Sequence, residues 1–440
     1  MTLIHATALV VGTMVGTGIY LRPALMAQQV GSAPLVLLAW LAAGVLSMAG
    51  ALTYAELSAR LPHTGGEYVF LRQTFGPFTA FLFGWTRTIV GAASQAAVAV
   101  AIGTFLAALV PALAPWKHVV AALAVAVLTG VNCAGVVAGA RTQTALTIAK
   151  VAVLVALIGL TLLLAPEVSP ARLAGESGTG GATFSAFGAA MVGALWPYAG
   201  WNNLPMTAGE TVAPTRTLPR AIIGGALGVT ALYLCVNAVY FMALPFEEVA
   251  SSNSVAYPNA PAVGVKVAQS FLGPAGSSVL FAAFAISALG TLNGLLLSTA
   301  RVGFAMARDG LLPAVWGRIG DRSRAPIGAI LVLGGLTVAL ALAGTIDRLA
   351  TSAIIGYWVF HALCGLALFR LRRDDVGGAV AGFRMPWYPF VPVVFVACGA
   401  WLVVNSIHAM PVESRWALGT IASGVPAYAL LARGARGAVR

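Results

Sequence analysis

Charged side chains are scarce in this sequence. Only 9% of the 440 residues are Asp, Glu, Lys or Arg and 59% are hydrophobic, whereas an average soluble domain has about 25% charged residues. So few charges exclude a soluble globular protein. The mean hydropathy of +0.90 is that of an integral membrane protein.

Cysteine and histidine are also few, with four of the first and five of the second. No two cysteines have the Cys-x-x-Cys spacing of a metal or redox site, and the histidines are scattered. An enzyme in the membrane needs a nucleophile with a base, or a cluster of metal ligands. We therefore expect no enzyme, no metal and no cofactor.

Acidic residues are about half as common as basic ones, 13 against 25, which gives a net charge of +12. If the N-terminus is cytoplasmic, seventeen arginines fall in the inner loops and tail, and six basic residues fall outside. This is the positive-inside bias of membrane proteins, and it predicts that both termini are cytoplasmic. The charge therefore indicates contact with anionic membrane lipids and no nucleic acid.

Long apolar runs are abundant. A hydrocarbon core about 30 Å thick needs about 20 apolar residues per helix, and twelve such runs predict an all-α, multi-pass protein of the bacterial inner (plasma) membrane. Residues 61–76 are predicted as a short interfacial helix. The predicted spans are, approximately, residues 3–30, 34–60, 77–109, 119–138, 142–164, 184–210, 220–244, 277–307, 327–343, 346–369, 388–407 and 415–431.

Two of these runs are interrupted. Span 1 contains Gly12, Gly16 and Gly18, and span 6 contains Trp-Pro-Tyr-Ala-Gly-Trp-Asn at 196–202. Glycine and proline disfavour helix, so both helices are expected to open and leave backbone groups without partners. Such groups persist at membrane depth only where they face protein or a water-filled cavity, which predicts a site for a small polar ligand. The alternative is that the glycines only let helices pack closely.

The two interruptions lie five spans apart. Spans 1–5 and 6–10 are therefore predicted to be two repeats, inverted because each has an odd number of spans. The predicted division is 1–165 for the first repeat, 166–183 for an outer loop, 184–371 for the second repeat, and 372–440 for spans 11 and 12 with the tail.

The two breaks offer complementary groups. The amides of Thr17 and Gly18, with the Thr17 hydroxyl, would lie at the start of an outer half-helix, where the dipole favours a carboxylate. Exposed carbonyls around Trp196, Pro197 and Ala199 would accept hydrogen bonds from an ammonium. Together these groups suit a zwitterion.

Four motifs occur in order: Gly-Thr-Gly-Ile-Tyr at 16–20, Tyr-Ala-Glu-Leu at 54–57, Pro-His-Thr-Gly-Gly-Glu-Tyr at 62–68, and Gly-Trp-Asn at 200–202. Through them the chain resembles the amino acid-polyamine-organocation superfamily of membrane transporters. With Leu-Asn-Gly at 292–294, it is most similar to the L-amino-acid transporter group of exchangers. The resemblance implies two inverted five-helix repeats with discontinuous helices 1 and 6, followed by helices 11 and 12.

The resemblance also implies roles for residues at the breaks. The amides would bind the carboxylate of the substrate, and carbonyls from both breaks would bind its amine. The residues expected at this site are Met14, Gly16, Thr17, Gly18, Trp196, Ala199 and Gly200.

The same correspondence makes Trp196, with Tyr198 near it, an aromatic gate that closes over bound substrate. The alternative is a packing or interfacial tryptophan. Pro197 and Pro205 depart from the pattern of the relatives, which affects how such a gate would swing.

Lys150 lies about a third of the way into span 5. An ammonium at the centre of a membrane helix costs about 2.5–3.5 kcal/mol on insertion scales, so it is expected to face the interior. In the resembling exchangers, a lysine here replaces a bound sodium ion and bridges helices 1 and 5. This implies sodium-independent transport. The alternative is a lysine whose stem extends toward the inner surface.

Further polar residues are predicted near the inner face and the pocket. Glu56 and Arg87 are candidates for a cytoplasmic gate together with Glu210 or Arg216, with boundary positions as the alternative. Asn293 is the candidate for a polar wall of the pocket, and Ser94 and Ser287 are weaker candidates. His5 and His361 are given no role.

The predicted function is a secondary transporter that moves neutral L-amino acids by alternating access, with spans 1, 2, 6 and 7 rocking against spans 3, 4, 8 and 9. Neutral substrates are favoured because no acidic residue lies beside the span 6 break. Sodium-independent exchange without an accessory subunit is expected. The alternative is a proton-coupled symporter of the same fold, and a channel or membrane-embedded enzyme is remote.

Overall fold

The computed structural model describes residues 1–175, 183–344, 347–377 and 382–437, and these residues form helices with no strand. Part of the predicted outer loop 166–183, the turn between spans 9 and 10, and the end of the C-terminal tail lie outside the described residues. The inner face is here the face on which α1 begins.

The first half of the chain is a series of long helices with two short ones. Its helices are α1 (Leu3–Met14), α2 (Gly18–Val30), α3 (Ala33–Arg60), α4 (Glu67–Phe75), α5 (Pro77–Leu109), α6 (Lys117–Cys133), α7 (Val136–Leu164) and α8 (Arg172–Gly175). A 3-10 turn, Pro111–Trp116, precedes α6.

The second half is also a series of long and short helices. Its α-helices are α9 (Phe184–Leu195), α10 (Pro214–Ala243), α11 (Phe246–Ala250), α12 (Val263–Leu272), α13 (Ala275–Arg308), α14 (Ile327–Ala343), α15 (Asp347–Arg373), α16 (Phe390–Ala409) and α17 (Pro411–Gly437). A 3-10 helix, Trp201–Glu210, follows α9, and another, Ala314–Gly317, follows α13.

The predicted spans correspond to these helices. Span 1 is α1 with α2, and span 6 is α9 with the 3-10 helix Trp201–Glu210; the other ten are α3, α5, α6, α7, α10, α13, α14, α15, α16 and α17. Among the described residues, seven helices are long and apolar enough to cross a membrane, and the bent pair α1 and α2 makes an eighth. The all-helical membrane architecture is confirmed, while the count of twelve stays a prediction.

One predicted boundary was wrong. The turn between α6 and α7 falls at 134–135, where Gly135 has φ 144°, a conformation suited to glycine. Arg141 was expected at this boundary, but it lies inside α7. Hydropathy alone misplaced the turn because the residues on both sides of it are apolar.

The predicted interfacial helix is α4. Its Tyr68, Phe70 and Leu71 are fully buried, and the helix packs against α5 and α15. The amide of Gly65, just before α4, donates to the carbonyl of Met206 in span 6. This helix therefore packs against the bundle at its inner face.

The core is built from pairs of neighbouring spans. Helix α3 packs along α10, α5 along α13 and α6 along α14, while α1 touches the 3-10 helix of span 6. Small residues permit this approach: a Cβ at Gly44 of α3 would lie 2.6 Å from Thr230 of α10. These pairs are the equivalent spans of the predicted inverted repeat, and the division into repeats stays a prediction.

Candidate functional site

Both predicted interruptions are present. Helix α1 ends at Met14 and α2 begins at Gly18, with a bend of 41° between them. In span 6, α9 ends at Leu195 and residues 196–200 form turns before the 3-10 helix starts at Trp201. Glycines account for the break in span 1, and Pro197 with Gly200 for that in span 6, because both residue types lower the stability of a continuous helix.

The two breaks touch each other. The hydroxyl of Thr13 donates to the carbonyl oxygen of Gly200 at 3.1 Å. Gly200 has φ 142°, and a Cβ on it would lie 2.8 Å from the amide nitrogen of Met14. A Cβ on Gly18 would lie 2.7 Å from Pro197. These glycines are therefore required for the close approach of the two breaks, beyond their effect on each helix alone.

A tyrosine that the sequence analysis missed joins the breaks. The hydroxyl of Tyr233 in α10 lies 2.9 Å from the carbonyl oxygen of Met14 and 3.2 Å from that of Pro197. Its side chain is fully buried. One hydroxyl thus contacts a buried carbonyl of each broken span, and this position in an apolar run carried no sequence signal.

Accessibility is concentrated at four residues of the breaks. Gly16 and Thr17 are partly accessible, and Trp196 and Ala199 are exposed, while their neighbours Val15, Gly18, Pro197 and Gly200 are buried. The Thr17 side chain makes no capping hydrogen bond at the start of α2 within the described part of the chain. Each of the two breaks therefore has two accessible residues beside buried ones.

Trp196 and Tyr198 lie in different surroundings. Trp196 is 42% exposed, and the guanidinium of Arg22 lies 4.9 Å from the centroid of its ring. Tyr198 is buried on the side of span 6 that faces α3 and α10, where its ring packs against Trp40 and Tyr233. The geometry places Trp196 at the accessible face and Tyr198 in the core behind it.

Lys150 is completely enclosed by acceptors. Its ammonium donates to the carbonyl oxygens of Gly12 at 2.8 Å and Val15 at 2.7 Å, and to that of Ser287 at 2.8 Å. The hydroxyl of Thr291 lies 3.3 Å away, and the side chain is 1% exposed. The ammonium thus joins α7 to the break of span 1 and to α13, and it does not extend to the inner surface.

Asn293 belongs to a polar network between spans 4, 5 and 8. Its amide nitrogen donates to Gln143 at 2.9 Å, and its amide oxygen accepts from Asn132 at 2.9 Å. The side chain is fully buried. The structure therefore places Asn293 inside the packed scaffold, and its role as a wall of the pocket stays a prediction.

At the inner face, Glu210 pairs with Arg301 of α13. Both carboxylate oxygens accept from this guanidinium, with the shortest N to O distance at 2.9 Å. The N-terminal ammonium of Met1 donates to the backbone carbonyl of Glu210, and the amide of Val212 donates to the carbonyl of Met1. These contacts tie the start of α1 and the end of span 6 to α13.

The other two candidates for the inner gate have separate partners. Arg87 donates to the amide oxygen of Asn203 in span 6 and lies 4.8 Å from the ring centroid of Tyr357. Glu56 is fully buried and pairs with Arg60 and Arg372. The predicted grouping of Glu56 and Arg87 with Glu210 or Arg216 is thus replaced by three separate clusters.

A buried cluster links α3, α4 and α15. The hydroxyl of Tyr54 lies 2.7 Å from Oε1 of Glu67 and 2.8 Å from Nδ1 of His361, and His361 lies 2.8 Å from Glu67. Glu67 lies within the Pro-His-Thr-Gly-Gly-Glu-Tyr motif. That motif was the available signal, but the partners on distant helices were not visible in it.

Metal binding has no support in the described part of the chain, where no group of three or more His, Cys, Asp or Glu side chains is placed to hold an ion. A helical bundle in which two interrupted spans meet is the architecture of a substrate transporter.

Comparison with known proteins gives the family. Residues 1–422 match the family described as Amino acid permease, so the chain belongs to that family and is a transporter and not an enzyme. The resemblance to the amino acid-polyamine-organocation superfamily is confirmed.

Relatives from a bacterium and from mammals support this family assignment. The serine/threonine exchanger SteT of Bacillus subtilis (strain 168) is 31% identical over 92% of this chain and 90% of its own length. The cystine/glutamate transporter of Homo sapiens is 29% identical over 98% and 84%. The b(0,+)-type amino acid transporter 1 of Mus musculus is 30% identical over 97% and 87%. Amino acid transport is the activity common to these relatives.

Proposed function

We propose that this protein is a sodium-independent exchanger of neutral L-amino acids. The observation that carries the proposal is the contact between the two breaks, with accessible residues both at the start of α2, whose first amides have no partner within the helix, and after the end of α9, whose last carbonyls have none. A zwitterion satisfies both sets of groups at once, because its carboxylate accepts hydrogen bonds and its ammonium donates them.

The substrate carboxylate is assigned to the amides of Thr17 and Gly18 at the start of α2, with Gly16 beside them. The amine is assigned to the carbonyls of Met14, Trp196 and Ala199. Met14 already accepts from Tyr233 and Trp196 already accepts from the Ala199 amide, but a carbonyl oxygen has a second lone pair for the substrate. Gly200 contributes by letting the breaks approach.

Sodium independence rests on Lys150. Three carbonyl oxygens and one hydroxyl converge on its ammonium. Such oxygens would otherwise suit a metal cation, and a tethered ammonium supplies the same positive charge in every state of the cycle. The protein then needs no dissolved cation to hold span 1 against α7 and α13.

The inner contacts support alternating access. Glu210 with Arg301, and Arg87 with Asn203, each join span 6 to a helix of the predicted scaffold, while Trp196 at the break is 42% exposed. We infer a state that is closed inside and open outside. The change to the inward-open state must break both inner contacts and move Trp196 over the substrate.

The relative named a serine/threonine exchanger makes serine and threonine the first substrates to test. We also propose that the protein acts without an accessory subunit. Both termini are assigned to the cytoplasm on the charge bias alone.

Proton-coupled symport is the second candidate, favoured by the buried cluster of Tyr54, Glu67 and His361. In this cluster a phenol, a carboxylate and an imidazole contact one another where span 2 meets α15, and buried carboxylate and histidine chains of this kind are found in the proton relays of transporters.

Counterflow in proteoliposomes separates the candidates. Uptake of labelled serine should require unlabelled amino acid inside the vesicles, and it should be the same with and without sodium. Uptake into empty vesicles driven by an inward pH gradient would refute exchange and support the symporter. Absence of uptake for every neutral amino acid would refute both.

A further inference from the structure

Among the described residues, one charged side chain inside the bundle, that of Arg22, has no hydrogen bond or ion pair. Arg22 lies in α2, four residues past Gly18 and eight residues before Val30, where the helix ends. At a rise of about 1.5 Å per residue, this places it about 6 Å above the start of α2 and about 12 Å below its outer end. Arg22 is thus well inside the outer half of span 1, where a charge is costly and implies a function.

The other charged residues inside the bundle are neutralised or bonded. Lys150 has its carbonyl acceptors, Arg301 has Glu210, and Arg87 has Asn203. In contrast, no hydrogen bond or ion pair of Arg22 is present within the described ranges of the chain. Its single recorded contact is with the ring of Trp196.

No carboxylate of the surrounding helices pairs with Arg22 among the described residues. No acidic residue occurs in α2, α9, α10 or α12, and Glu56 of α3 lies near the inner end of that helix, paired with Arg60. The two glutamates of α11, Glu247 and Glu248, lie in a helix that touches α2 near its outer end. The planar guanidinium therefore presents its charge and its N–H donors beside the ring of the partly exposed Trp196. In the outward-open state proposed above, this is the side from which substrate would reach the contact of the two breaks.

We propose that Arg22 determines specificity by charge, so that amino acids with cationic side chains are excluded while neutral and anionic ones are accepted. The proposal rests on the proposed function, because it concerns the outer entrance of the same site. A fixed positive charge in a narrow, poorly hydrated entrance repels a cationic side chain more strongly than it would in water.

The stack on Trp196 adds a second reason. A lysine or arginine substrate would be attracted to the same aromatic face, because an indole ring binds cations. With Arg22 already over the ring, that face is occupied. Neutral side chains lose nothing by this occupation, and an anionic side chain gains the attraction of the guanidinium.

The test compares Arg22→Gln and Arg22→Lys with the wild type. Each protein is reconstituted in vesicles loaded with serine, and kcat and KM are measured for external lysine, serine and glutamate. Arg415→Gln is the matched control, because Arg415 lies in α17 and donates to the carbonyl of Pro411 in its own helix.

We expect Arg22→Gln to raise kcat/KM for lysine relative to serine about tenfold, mainly by lowering the KM for lysine. A tenfold effect is the size expected for the repulsion of two like charges about 10 Å apart in a medium between water and protein. The glutamate to serine ratio should fall. Arg22→Lys keeps the charge and should keep both ratios within about threefold, and Arg415→Gln should change neither.

If Arg22→Gln leaves kcat/KM for lysine and for glutamate relative to serine unchanged, the proposal about Arg22 is overturned. The proposed exchange of serine would not be affected by that result. If Arg22→Gln exchanges nothing, the increase in melting temperature of the purified protein with each of the three amino acids measures the same preference. Equal preference to the wild type in that assay would also overturn it. Failure of the wild type to exchange serine would instead refute the proposed function.

Discussion

The ammonium of Lys150 lies 2.7 Å from the carbonyl oxygen of Val15, the residue at which span 1 opens. The same ammonium reaches the carbonyls of Gly12 and Ser287. A break in a membrane helix leaves carbonyls without amide partners, and here a side chain from another span satisfies them. The broken shape of span 1 and the lysine of span 5 therefore depend on each other.

Replacing Lys150 with alanine should abolish exchange while leaving the fold intact. The carbonyls of Gly12, Val15 and Ser287 would lose a charged donor, and leaving a buried acceptor unpaired costs about 1–3 kcal/mol. We expect at least a tenfold loss of exchange with monodisperse protein in detergent. Lys266→Ala is the control, because that lysine lies in α12 and donates to the backbone carbonyl of Glu248 in α11 and to the hydroxyl of Ser251. Exchange at the wild-type rate by Lys150→Ala would contradict the assigned role.

Replacing Gly200 with alanine should prevent the breaks from meeting. The new Cβ would lie 2.8 Å from backbone atoms of Thr13 and Met14, and the φ of 142° is strained for any side chain. We expect a loss of stability of about 2–4 kcal/mol, seen as a lower melting temperature. Gly130→Ala serves for comparison, since nothing lies within 4 Å of its Cβ position. A Gly200→Ala protein as stable as Gly130→Ala would show that the close contact is not required.

Replacing Tyr233 with phenylalanine removes the hydroxyl that joins Met14 to Pro197. The loss of a buried hydrogen bond costs about 0.5–1.5 kcal/mol, so the melting temperature should fall and the KM for serine should change. Tyr240→Phe is a closely matched control in the same helix, because its buried hydroxyl has no partner among the described residues. If Tyr233→Phe and Tyr240→Phe change the melting temperature and the KM for serine equally, the contacts of the Tyr233 hydroxyl with the two breaks are not required for transport.

Replacing Glu210 or Arg301 with glutamine should loosen the inner face. Their pair is bidentate and nearly buried, and each single variant leaves the other charge unpaired. A cysteine placed at Thr207, which is fully buried in span 6, should then be labelled faster from the inside. The double variant should be labelled only slightly faster than either single variant. This non-additivity corresponds to a coupling energy of about 1–3 kcal/mol between the two residues.

The exposed pair of Arg373 and Asp374 provides the control for that experiment. Exposed ion pairs contribute little, so Arg373→Gln should leave the labelling rate unchanged. Strictly additive effects of the Glu210 and Arg301 variants would show that the pair does not act as one closing contact.

Local features of the chain predicted much of this protein. The apolar runs defined a helical membrane protein, and glycines with a proline located both interruptions to within a residue or two. Lys150 was found because a lysine is rare in a membrane helix. In each case the physical cause lies within one helix, so the composition and backbone preferences of that stretch of sequence are enough to predict it.

What the sequence could not determine was which residues meet across helices. Nothing in the sequence predicted that Tyr233 contacts both breaks or that Arg301 pairs with Glu210. The contacts of Asn293 with α6 and α7 were equally absent from the sequence pattern. Arg22 looked like an ordinary basic residue at the outer side until its helix placed it over Trp196. One residue along a helix rotates a side chain by about 100°, so partners depend on the rotation and depth at which helices pack. Only the tertiary structure decides these.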